Sequence, residues 1–309
     1  MLCKVCKSGM LEDYSRVQDV KYFSCSQCGT ILADYAFIEK TMSGGARVYD
    51  ESYWQDELKA ARERGYGSSL VRVGEIFHYA RRPINRFLDI SCGAGTLLDS
   101  VAEILPEISD RFWGIEPFPP PIEFRSKHPN YQIGFLNDVS GTFDGGVCIE
   151  VIEHLSPEVL RTVVGALSKI SEPSACWFFN SAQPTFVKTH DPGYLDPYHR
   201  GHIVSYSIEG LKKLFGEFDF TVHALPGRDW CFLAEKGSHA PQGVEELYTR
   251  LWTIVPENKE ALNSSKFGNM ILTSGLESAR CFLECAKSAW AVGKLNEYDS
   301  ALQANSTRK

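Results

Sequence analysis

Residues 86–98, RFLDISCGAGTLL, constrain the fold of this chain more than any other part of the sequence. The apolar run at 87–90 predicts a short buried strand that carries one carboxylate, Asp89, and the small residues that follow predict a tight turn into a helix. Because Gly93 and Gly95 lack a Cβ atom, a ligand can approach the backbone of this turn closely. A strand, a glycine turn and a helix in this order predict a nucleotide-sized site in an α/β sheet.

Two further residues indicate which nucleotide the turn accepts. A dinucleotide fingerprint requires a third glycine, and this chain has Leu98 at that position. Glu116 closes a second apolar strand in FWGIEP, and a carboxylate at a strand end can accept hydrogen bonds from both hydroxyls of a ribose. The pattern therefore favours a ligand that has a ribose and no pyrophosphate. The alternative is an ordinary strand-to-helix turn of some other α/β protein.

The segment DISCGAG resembles the first motif of the class I S-adenosylmethionine-dependent methyltransferases, Asp-x-Gly-x-Gly-x-Gly, with Ser91 in place of the first glycine. The resemblance implies an α/β fold with a doubly wound, mostly parallel, seven-stranded sheet. It also implies S-adenosylmethionine as the cofactor. The cofactor-binding residues would be Asp89, Ser91, Gly93, Gly95 and Glu116, with Asn137 and Asp138 near the adenine.

A second informative segment, 143–170, predicts a buried strand, the sequence EVIEHL and a helix that begins at Ser156 and Pro157. Glu150, Glu153 and His154 then lie at the carboxyl end of a central strand, where open α/β sheets bind ligands. A hydroxyl acceptor gains from losing its proton as it attacks, and histidine is a suitable base because its intrinsic pKa lies near neutrality. We therefore predict these three residues as the catalytic, acceptor-side group.

The sequence EVIEHL resembles quinone-biosynthesis O-methyltransferases, in which it is mostly a structural and substrate-side motif. It also resembles small-RNA 3′-terminal 2′-O-methyltransferases, in which such residues hold a divalent metal. Under that less favoured alternative, Mg²⁺ or Mn²⁺ would bind Glu150, Glu153, His154 and His202, with His199 a weaker choice than His202. The net charge of −7 provides no basic surface for RNA, so a nucleic-acid partner is disfavoured.

Four of the ten cysteines form two CxxC pairs, Cys3 with Cys6 and Cys25 with Cys28, separated by eighteen residues. This spacing is typical of a structural zinc site. We expect Lys4 and Lys7 to offset the negative charge of four thiolates on Zn²⁺. With all four ligand positions taken, the zinc ribbon serves as a folding staple or as a substrate-docking element. The other cysteines suggest thiols in a reducing compartment.

Between the ribbon and the glycine turn, residues 43–45 suggest a linker, and two helical patterns follow, closed by Gly65 and Pro83. The order of a zinc ribbon, the aromatic residues Tyr49, Tyr53 and Trp54, and a methyltransferase motif is similar to bacterial methyltransferases that act on sugars and related metabolites. The aromatic residues could cap the cofactor or pack in a helix core. Six arginines in 62–86 could face an anionic substrate or solvent.

The remainder of the chain predicts a fifth strand ending at Asn180, a long polar loop at 184–201 suited to a lid or an acceptor surface, a terminal hairpin, and three helices after 237. Cys281 and Cys285 are predicted to lie in the core of the last helix. The predicted domains are a zinc ribbon at 1–40, a methyltransferase domain at 41–236 and a helical extension at 237–309.

These patterns predict a methyltransferase that O-methylates a sugar, a polysaccharide or a related small molecule. A metal-dependent RNA 2′-O-methyltransferase and a non-catalytic cofactor-binding module are the alternatives, and the methylated atom, O, C or N, stays open, as does the oligomeric state. The segment MLCKVCKSGM lacks an apolar signal region, and no eighteen apolar residues run together. We therefore expect a cytoplasmic protein with no membrane partner.

Overall fold

The computed structural model of the chain describes residues 1–41, 58–59, 61–240 and 242–306, apart from the side chains of Val244, Asp299 and residues 301–306. The predicted linker at 43–45 and the aromatic residues Tyr49, Tyr53 and Trp54 lie outside the described residues.

A seven-stranded sheet forms the centre of the fold, with strand order β10-β11-β8-β7-β4-β5-β6. Its strands are β4 Phe87–Ile90, β5 Phe112–Glu116, β6 Tyr131–Ile133, β7 Phe143–Ile149, β8 Ser171–Asn180, β10 Phe220–Ala224 and β11 Cys231–Lys236. β11 runs antiparallel to both neighbours, whereas the pairings among β4 to β8 are parallel. The predicted mostly parallel seven-stranded fold is confirmed, including the reversed strand of the terminal hairpin.

The apolar sequences of the central strands are buried in the structure. Every residue of β4 and the stretch 175–179 of β8 is buried, as expected for parallel strands covered on both faces. The edge strand β6 ends at Ile133, and a 3₁₀ turn, Leu136–Asp138, follows it.

Helices cover both faces of this sheet, and further helices lie in the N-terminal ribbon and after the last strand. They are α1 Tyr35–Lys40, α2 Leu70–Tyr79, α3 Thr96–Ile104, α4 Pro157–Ile170, α5 Pro184–Thr189, α6 Ile208–Gly216, α7 Val244–Trp252, α8 Pro256–Asn263 and α9 Gly268–Ser306. α4 begins as predicted: the Ser156 hydroxyl accepts a hydrogen bond from the Val159 amide at 3.2 Å, and Pro157 occupies the first turn. Among the described residues, no helix is both long enough and apolar enough to cross a membrane.

A second sheet, with order β1-β2-β3-β9, contains the N-terminal ribbon. Its strands are β1 Leu11–Val17, β2 Val20–Cys25, β3 Ile31–Ala33 and β9 Val204–Ser205. Three strands come from the first 40 residues, and β9, which closely follows the polar loop 184–201, pairs antiparallel with β3. The ribbon is therefore joined to the end of that loop by backbone hydrogen bonds.

Two sequence-based predictions about helices are wrong. Gly65 does not end a helix, because residues 61–64 continue into the π-helical turn Gly65–Ser69 and then into α2. Cys281 and Cys285 are exposed on α9 and not in a core, because other residues of α9 face the domain. In the arginine-rich stretch, Arg62 and Arg64 are exposed, whereas Arg72 and Arg82 pair with the carboxylates of Glu75 and Asp144.

Candidate functional site

The turn after β4 has the left-handed backbone that a glycine-rich loop provides. Ser91, Gly93 and Gly95 have φ angles of 55°, 58° and 80°. At Gly95 a Cβ atom would lie 2.6 Å from the Ser126 Cβ atom, so only glycine fits without displacement. The Tyr131 hydroxyl donates to the Gly93 carbonyl at 2.8 Å and closes one side of the turn.

Two carboxylates lie on neighbouring strands beside this turn. Asp89 and Glu116 are 7% and 5% exposed, on β4 and β5. Burial, together with the nearby charge of Glu116, raises the pKa of Asp89 to about 8, and burial also raises the pKa of Glu116. The Glu116 carboxylate accepts hydrogen bonds from the amides of Gly93 at 2.7 Å and Phe118 at 2.8 Å. The structure thus brings both predicted carboxylates to one end of the sheet.

Beyond Glu116 lie two exposed aromatic rings that the sequence analysis did not select. Phe118 and Phe135 are 56% and 60% exposed, and their ring centroids lie 6.3 Å apart in an edge-to-face arrangement. The predicted adenine contacts, Asn137 and Asp138, are exposed on the adjacent 3₁₀ turn, where the Asp138 carboxylate accepts from the Phe135 amide. The available signal was an aromatic residue two positions after the strand-end carboxylate. Exposed rings beside a carboxylate suit a nucleoside, whose base has an apolar face.

At the carboxyl end of β7, Glu150 adopts a left-handed conformation with a φ of 53°. Its amide donates to the Asn180 carbonyl at 2.9 Å, and its carboxylate accepts from the Asn180 side-chain amide. A positive φ is costly for a residue other than glycine, and residues held this way are common at functional sites. Glu150, which follows β7, and Asn180, the last residue of β8, are therefore in direct contact.

Glu153, His154 and His202 form a compact group whose ligand atoms all lie within 4.8 Å of one another. Glu153 is fully buried, and neither of its carboxylate oxygens has a hydrogen-bond partner of acceptable geometry in the part of the chain that the structure describes. Burial and the charge of Glu150 raise the pKa of Glu153. The Nε2 atom of His202 lies 4.0 Å from Glu153 Oε1. His199 is exposed and lies outside this group.

The two histidines are oriented by backbone carbonyls. Nδ1 of His154 lies 3.0 Å from the Gly201 oxygen, and Nδ1 of His202 lies 2.8 Å from the Tyr194 oxygen. Because a carbonyl only accepts hydrogen bonds, each Nδ1 carries the proton, which makes Nε2 the acceptor atom of each neutral ring. This arrangement suits either a base or a metal ligand.

The four cysteines of the ribbon are buried together, as their spacing predicts. The Cys6 and Cys25 sulfurs lie 3.6 Å apart, and the amides of Gly9 and Cys28 point at the sulfurs of Cys6 and Cys25 at 3.4 and 3.5 Å. A hydrogen bond from Cys3 lowers the pKa of Cys28 to about 4. Amide donors directed at sulfur stabilise thiolates, which is the form that binds metal.

Charges around this cluster are arranged differently from the prediction. Lys4 and Lys7 form ion pairs with Glu158 and Glu217, both at 2.9 Å. A third cation lies between ribbon and domain: the Arg161 guanidinium donates to the carbonyls of Lys4 at 2.7 Å and Val5 at 2.8 Å. The contacts of Lys4 and Val5 attach the segment between Cys3 and Cys6 to α4.

A family model described as a methyltransferase domain matches residues 52–225, which is more than half of the chain. A search of proteins of curated function found no match to this chain.

Several solved structures are distantly similar. The amino pentose methyltransferase CalS10 of Micromonospora echinaspora has 15% identity and a TM-score of 0.44, over 62% of this chain and 98% of that one. DesVI of Streptomyces venezuelae has 13% identity and a TM-score of 0.45, over 62% and 100%. The sugar N-methyltransferase KedS8 of a Streptoalloteichus species has 14% identity and a TM-score of 0.45, over 63% and 98%. These distant similarities do not identify an acceptor for this chain.

Proposed function

Because this chain belongs to the methyltransferase-domain family and is an S-adenosylmethionine-dependent methyltransferase, we propose that it methylates a hydroxyl group of a sugar, a polysaccharide or a related small molecule. The observation that carries this proposal is the orientation of His154. Its Nδ1 atom is engaged by the Gly201 carbonyl, so Nε2 is the basic atom, at the strand ends where ligands bind in this class of fold.

The residues around the glycine turn fit the cofactor. Asp89 is buried, and no cation among the described residues pairs with it, so ribose hydroxyls are suitable donors for its carboxylate. In this proposal the ribose and methionine parts are held by the residues of the glycine turn and the two strand-end carboxylates, namely Asp89, Ser91, Gly93, Gly95 and Glu116. The adenine lies near Asn137 and Asp138, beside the rings of Phe118 and Phe135. When bound, S-adenosylmethionine supplies a methyl group on a positively charged sulfur.

On the acceptor side, His154 would accept the hydroxyl proton as the oxygen attacks. Placement of the acceptor within a few ångström of the methyl group supplies much of the acceleration, because it removes the entropy cost of bringing two reactants together. Glu150 and Glu153 line the same side, where the first is held by Asn180 and the second lies beside His202.

A second candidate function is metal-dependent O-methylation. The observation in its favour is the Glu153 carboxylate, which is buried without a hydrogen-bond partner of acceptable geometry and close to two histidines whose Nδ1 atoms contact carbonyls. A Mg²⁺ or Mn²⁺ ion held by Glu153, His154 and His202, with Glu150 nearby, would acidify an acceptor hydroxyl. Such an ion suits an acceptor with two adjacent hydroxyls. The net charge of −7 favours a small molecule over RNA.

We assign the ribbon a structural Zn²⁺ held by Cys3, Cys6, Cys25 and Cys28. Four buried cysteines with amide donors directed at their sulfurs support this assignment. Because all four ligand positions are filled by protein, this zinc would have no direct part in methyl transfer.

The experiment is an assay of S-adenosylhomocysteine formation against nucleotide sugars, free glycosides, oligosaccharides and a short RNA duplex with free 3′ ends. Products are analysed by mass spectrometry and NMR to identify the methylated atom. We expect O-methylation of a small-molecule or glycan acceptor. Methylation on carbon or nitrogen would contradict the hydroxyl proposal, and binding of S-adenosylhomocysteine without turnover on any acceptor would support the non-catalytic alternative.

The metal alternative is tested in the same assay with chelation and with Glu153→Gln. If a divalent ion takes part, activity is lost on chelation, returns with Mn²⁺ or Mg²⁺, and Glu153→Gln no longer responds to added metal. Zinc content is measured alongside, so that loss of the ribbon metal is not mistaken for loss of the second ion.

A further inference from the structure

The loop that carries His202 is held from two directions. On the catalytic side, the Ile203 amide donates to the Glu153 carbonyl at 3.0 Å. On the ribbon side, the Tyr22 hydroxyl donates to the His202 carbonyl at 2.8 Å, and the Ala33 amide donates to the Ile203 carbonyl at 2.8 Å. Two consecutive carbonyls of the loop are thus bound by the ribbon.

These bonds continue into a strand pairing. Leu32 and Ile31 of β3 pair with Val204 and Ser205 of β9, which begins two residues after His202. Tyr22 is fully buried in the neighbouring strand β2, so its hydroxyl has a fixed position. The His202 carbonyl carbon is bonded directly to its Cα atom, so hydrogen bonds that hold this carbonyl and the next peptide restrict where the His202 side chain starts.

The imidazole of His202 is held by Tyr194, which lies earlier in the same loop. Its ring lies 4.3 Å from the Tyr194 ring, and its Nδ1 atom lies 2.8 Å from the Tyr194 oxygen. With the carbonyl held by Tyr22 and the ring held by Tyr194, Nε2 is directed towards Glu153. A shift of the backbone at His202 would change this distance directly.

The ribbon also contacts the rim of the same loop. The Tyr198 hydroxyl donates to the Asp19 carboxylate at 2.8 Å, and the Tyr198 ring lies 5.6 Å from Phe37 in an edge-to-face contact. The Lys188 ammonium lies 5.7 Å from the centre of the Tyr14 ring. Ribbon contacts therefore extend across the loop from its beginning to β9.

From these contacts we propose that the ribbon is a positioning element of the acceptor site, and that Tyr22 is the residue through which it positions His202. The inference rests on the proposed function in so far as it takes His202 to belong to the acceptor side. Tyr22 touches neither cofactor nor acceptor in this proposal; it acts through the His202 backbone. The cysteine cluster would then influence the acceptor site by holding β2 and β3 in place.

The test compares Tyr22→Phe with Tyr35→Phe in the full chain. Tyr35 is also a buried ribbon tyrosine, but its hydroxyl contacts the backbone of Lys4 and Leu2 within the ribbon. Side-chain ¹⁵N–¹H spectra of histidine-labelled protein, at one pH and without added metal, report the imidazoles, and the His202 signals are assigned with His202→Gln. We expect Tyr22→Phe to shift the His202 signals and Tyr35→Phe to leave them in place.

Calorimetry with S-adenosylhomocysteine and zinc analysis accompany the spectra. Both variants should bind S-adenosylhomocysteine as the native chain does, since the cofactor residues lie on β4, on β5 and on the turns after β4 and β6, away from the ribbon strands. Unchanged His202 signals in folded, zinc-loaded Tyr22→Phe, or an equal shift in Tyr35→Phe, would overturn the inference. Loss of S-adenosylhomocysteine binding in the native chain would instead overturn the proposed function.

If Tyr22→Phe loses zinc or does not fold, the same spectra of Tyr198→Phe test the inference. Tyr198 is half exposed, so removal of its hydroxyl breaks the contact with Asp19 without opening the ribbon core. We expect a smaller shift of the same His202 signals in this variant. His202 signals identical to those of the native chain would overturn the inference.

Discussion

Two carboxyl groups, Asp89 and Glu153, are buried where no lysine or arginine of the described chain pairs with them. An unpaired buried charge is costly, and its pKa moves until the neutral form is favoured. Both pKa values are raised in this way. Such groups suit a binding site, because a bound donor or cation relieves the cost that the empty protein carries.

The raised pKa of Asp89 predicts that cofactor binding is linked to a proton. In the cofactor-free protein the pKa is about 8, so Asp89 is mostly protonated at pH 7. Hydroxyl donors on the bound ligand favour the carboxylate and lower that pKa, so binding releases a proton. We expect the affinity for S-adenosylhomocysteine to rise by up to about tenfold per pH unit between pH 6 and 8 and then to level off.

Calorimetry in buffers of different ionisation enthalpy measures this proton release. Asp89→Asn cannot ionise and should bind without it, with weaker affinity. The stability of the cofactor-free fold depends on pH in the opposite direction. Because the folded pKa of Asp89 is raised, its contribution to stability is present below its unfolded pKa and is lost as the pH rises through about 8. Affinity independent of pH in the native chain would contradict this role of Asp89.

His154→Gln tests the proposed base. Glutamine keeps a side chain that can donate to the Gly201 carbonyl but removes the basic atom, so turnover should fall by roughly 10²- to 10⁴-fold while S-adenosylhomocysteine affinity is retained. His239→Gln is the matched control, because His239 contacts the Lys236 carbonyl near the end of β11 and has no part in the proposed site. Equal activity in both variants would exclude His154 as the base.

At the scale of elements, the ribbon depends on its cysteines. A unit of only about 40 residues is too small to be stabilised by a hydrophobic core alone and usually needs a metal to fold. We expect the native chain to contain about one equivalent of zinc, and Cys25→Ser to lose it together with thermal stability. Cys281→Ser, which changes an exposed cysteine of α9, should retain both. A folded, metal-free native chain would refute the zinc assignment.

The crossing of α2 and α9 depends on two glycines. A Cβ atom at Gly74 would lie 2.3 Å from the Ile271 carbonyl oxygen, and one at Gly275 would lie 2.4 Å from the Gly74 carbonyl carbon. Because both obstructions are backbone atoms, Gly275→Ala should force the helices apart and lower the free energy of unfolding by about 1–3 kcal/mol. Gly293→Ala, in an open part of the same helix, should leave stability unchanged or raise it. Denaturant titration of both variants measures the difference.

Elements determined by a local sequence signal could be predicted, and those determined by contacts between distant parts of the chain could not. The glycine turn after β4 and the start of α4 follow from local residues, namely small residues in the first case and Ser156 with Pro157 in the second. β9 contains only two residues, and it exists because β3 supplies its partner. Phe118 and Phe135 were missed for the same reason, since their pairing requires two separate turns to meet.

Considered as a whole molecule, the ribbon and the C-terminal helices brace opposite ends of the loop after β8. The ribbon pairs with β9 at one end. At the other end, the amides of Ser181 and Gln183 donate to the carbonyls of Trp230 and Asp229 in the terminal hairpin. The Trp230 ring contacts Phe282 of α9 at 5.6 Å. The segment that would bind the acceptor is therefore stabilised by both appendages of the catalytic domain.

One buried carboxylate of the sheet binds the C-terminal helices, and this contact gives the last prediction. Glu235 accepts two hydrogen bonds from the Arg250 guanidinium at 2.9 and 2.7 Å, and His223 Nε2 lies 2.8 Å away. Burial alone would raise the pKa of Glu235, but His223 and Arg250 lower it to about 2. Because the folded pKa is lowered, this contribution to stability is present above the unfolded pKa and is lost as the pH falls towards 2.

Arg250→Ala leaves the Glu235 charge buried with fewer partners, which typically costs about 3–5 kcal/mol when a buried pair is broken. We expect the free energy of unfolding to fall by that amount at pH 7, and the loss to shrink as the pH falls from 4 towards 2, where the native chain also loses the pair. Lys287→Ala, which removes an exposed 3.7 Å pair with Glu245, should change stability little. Denaturant titrations at pH 7 and pH 3 test both expectations. An Arg250→Ala chain as stable as the native one at pH 7 would mean that apolar packing of α7, α8 and α9 holds the extension in place without this carboxylate.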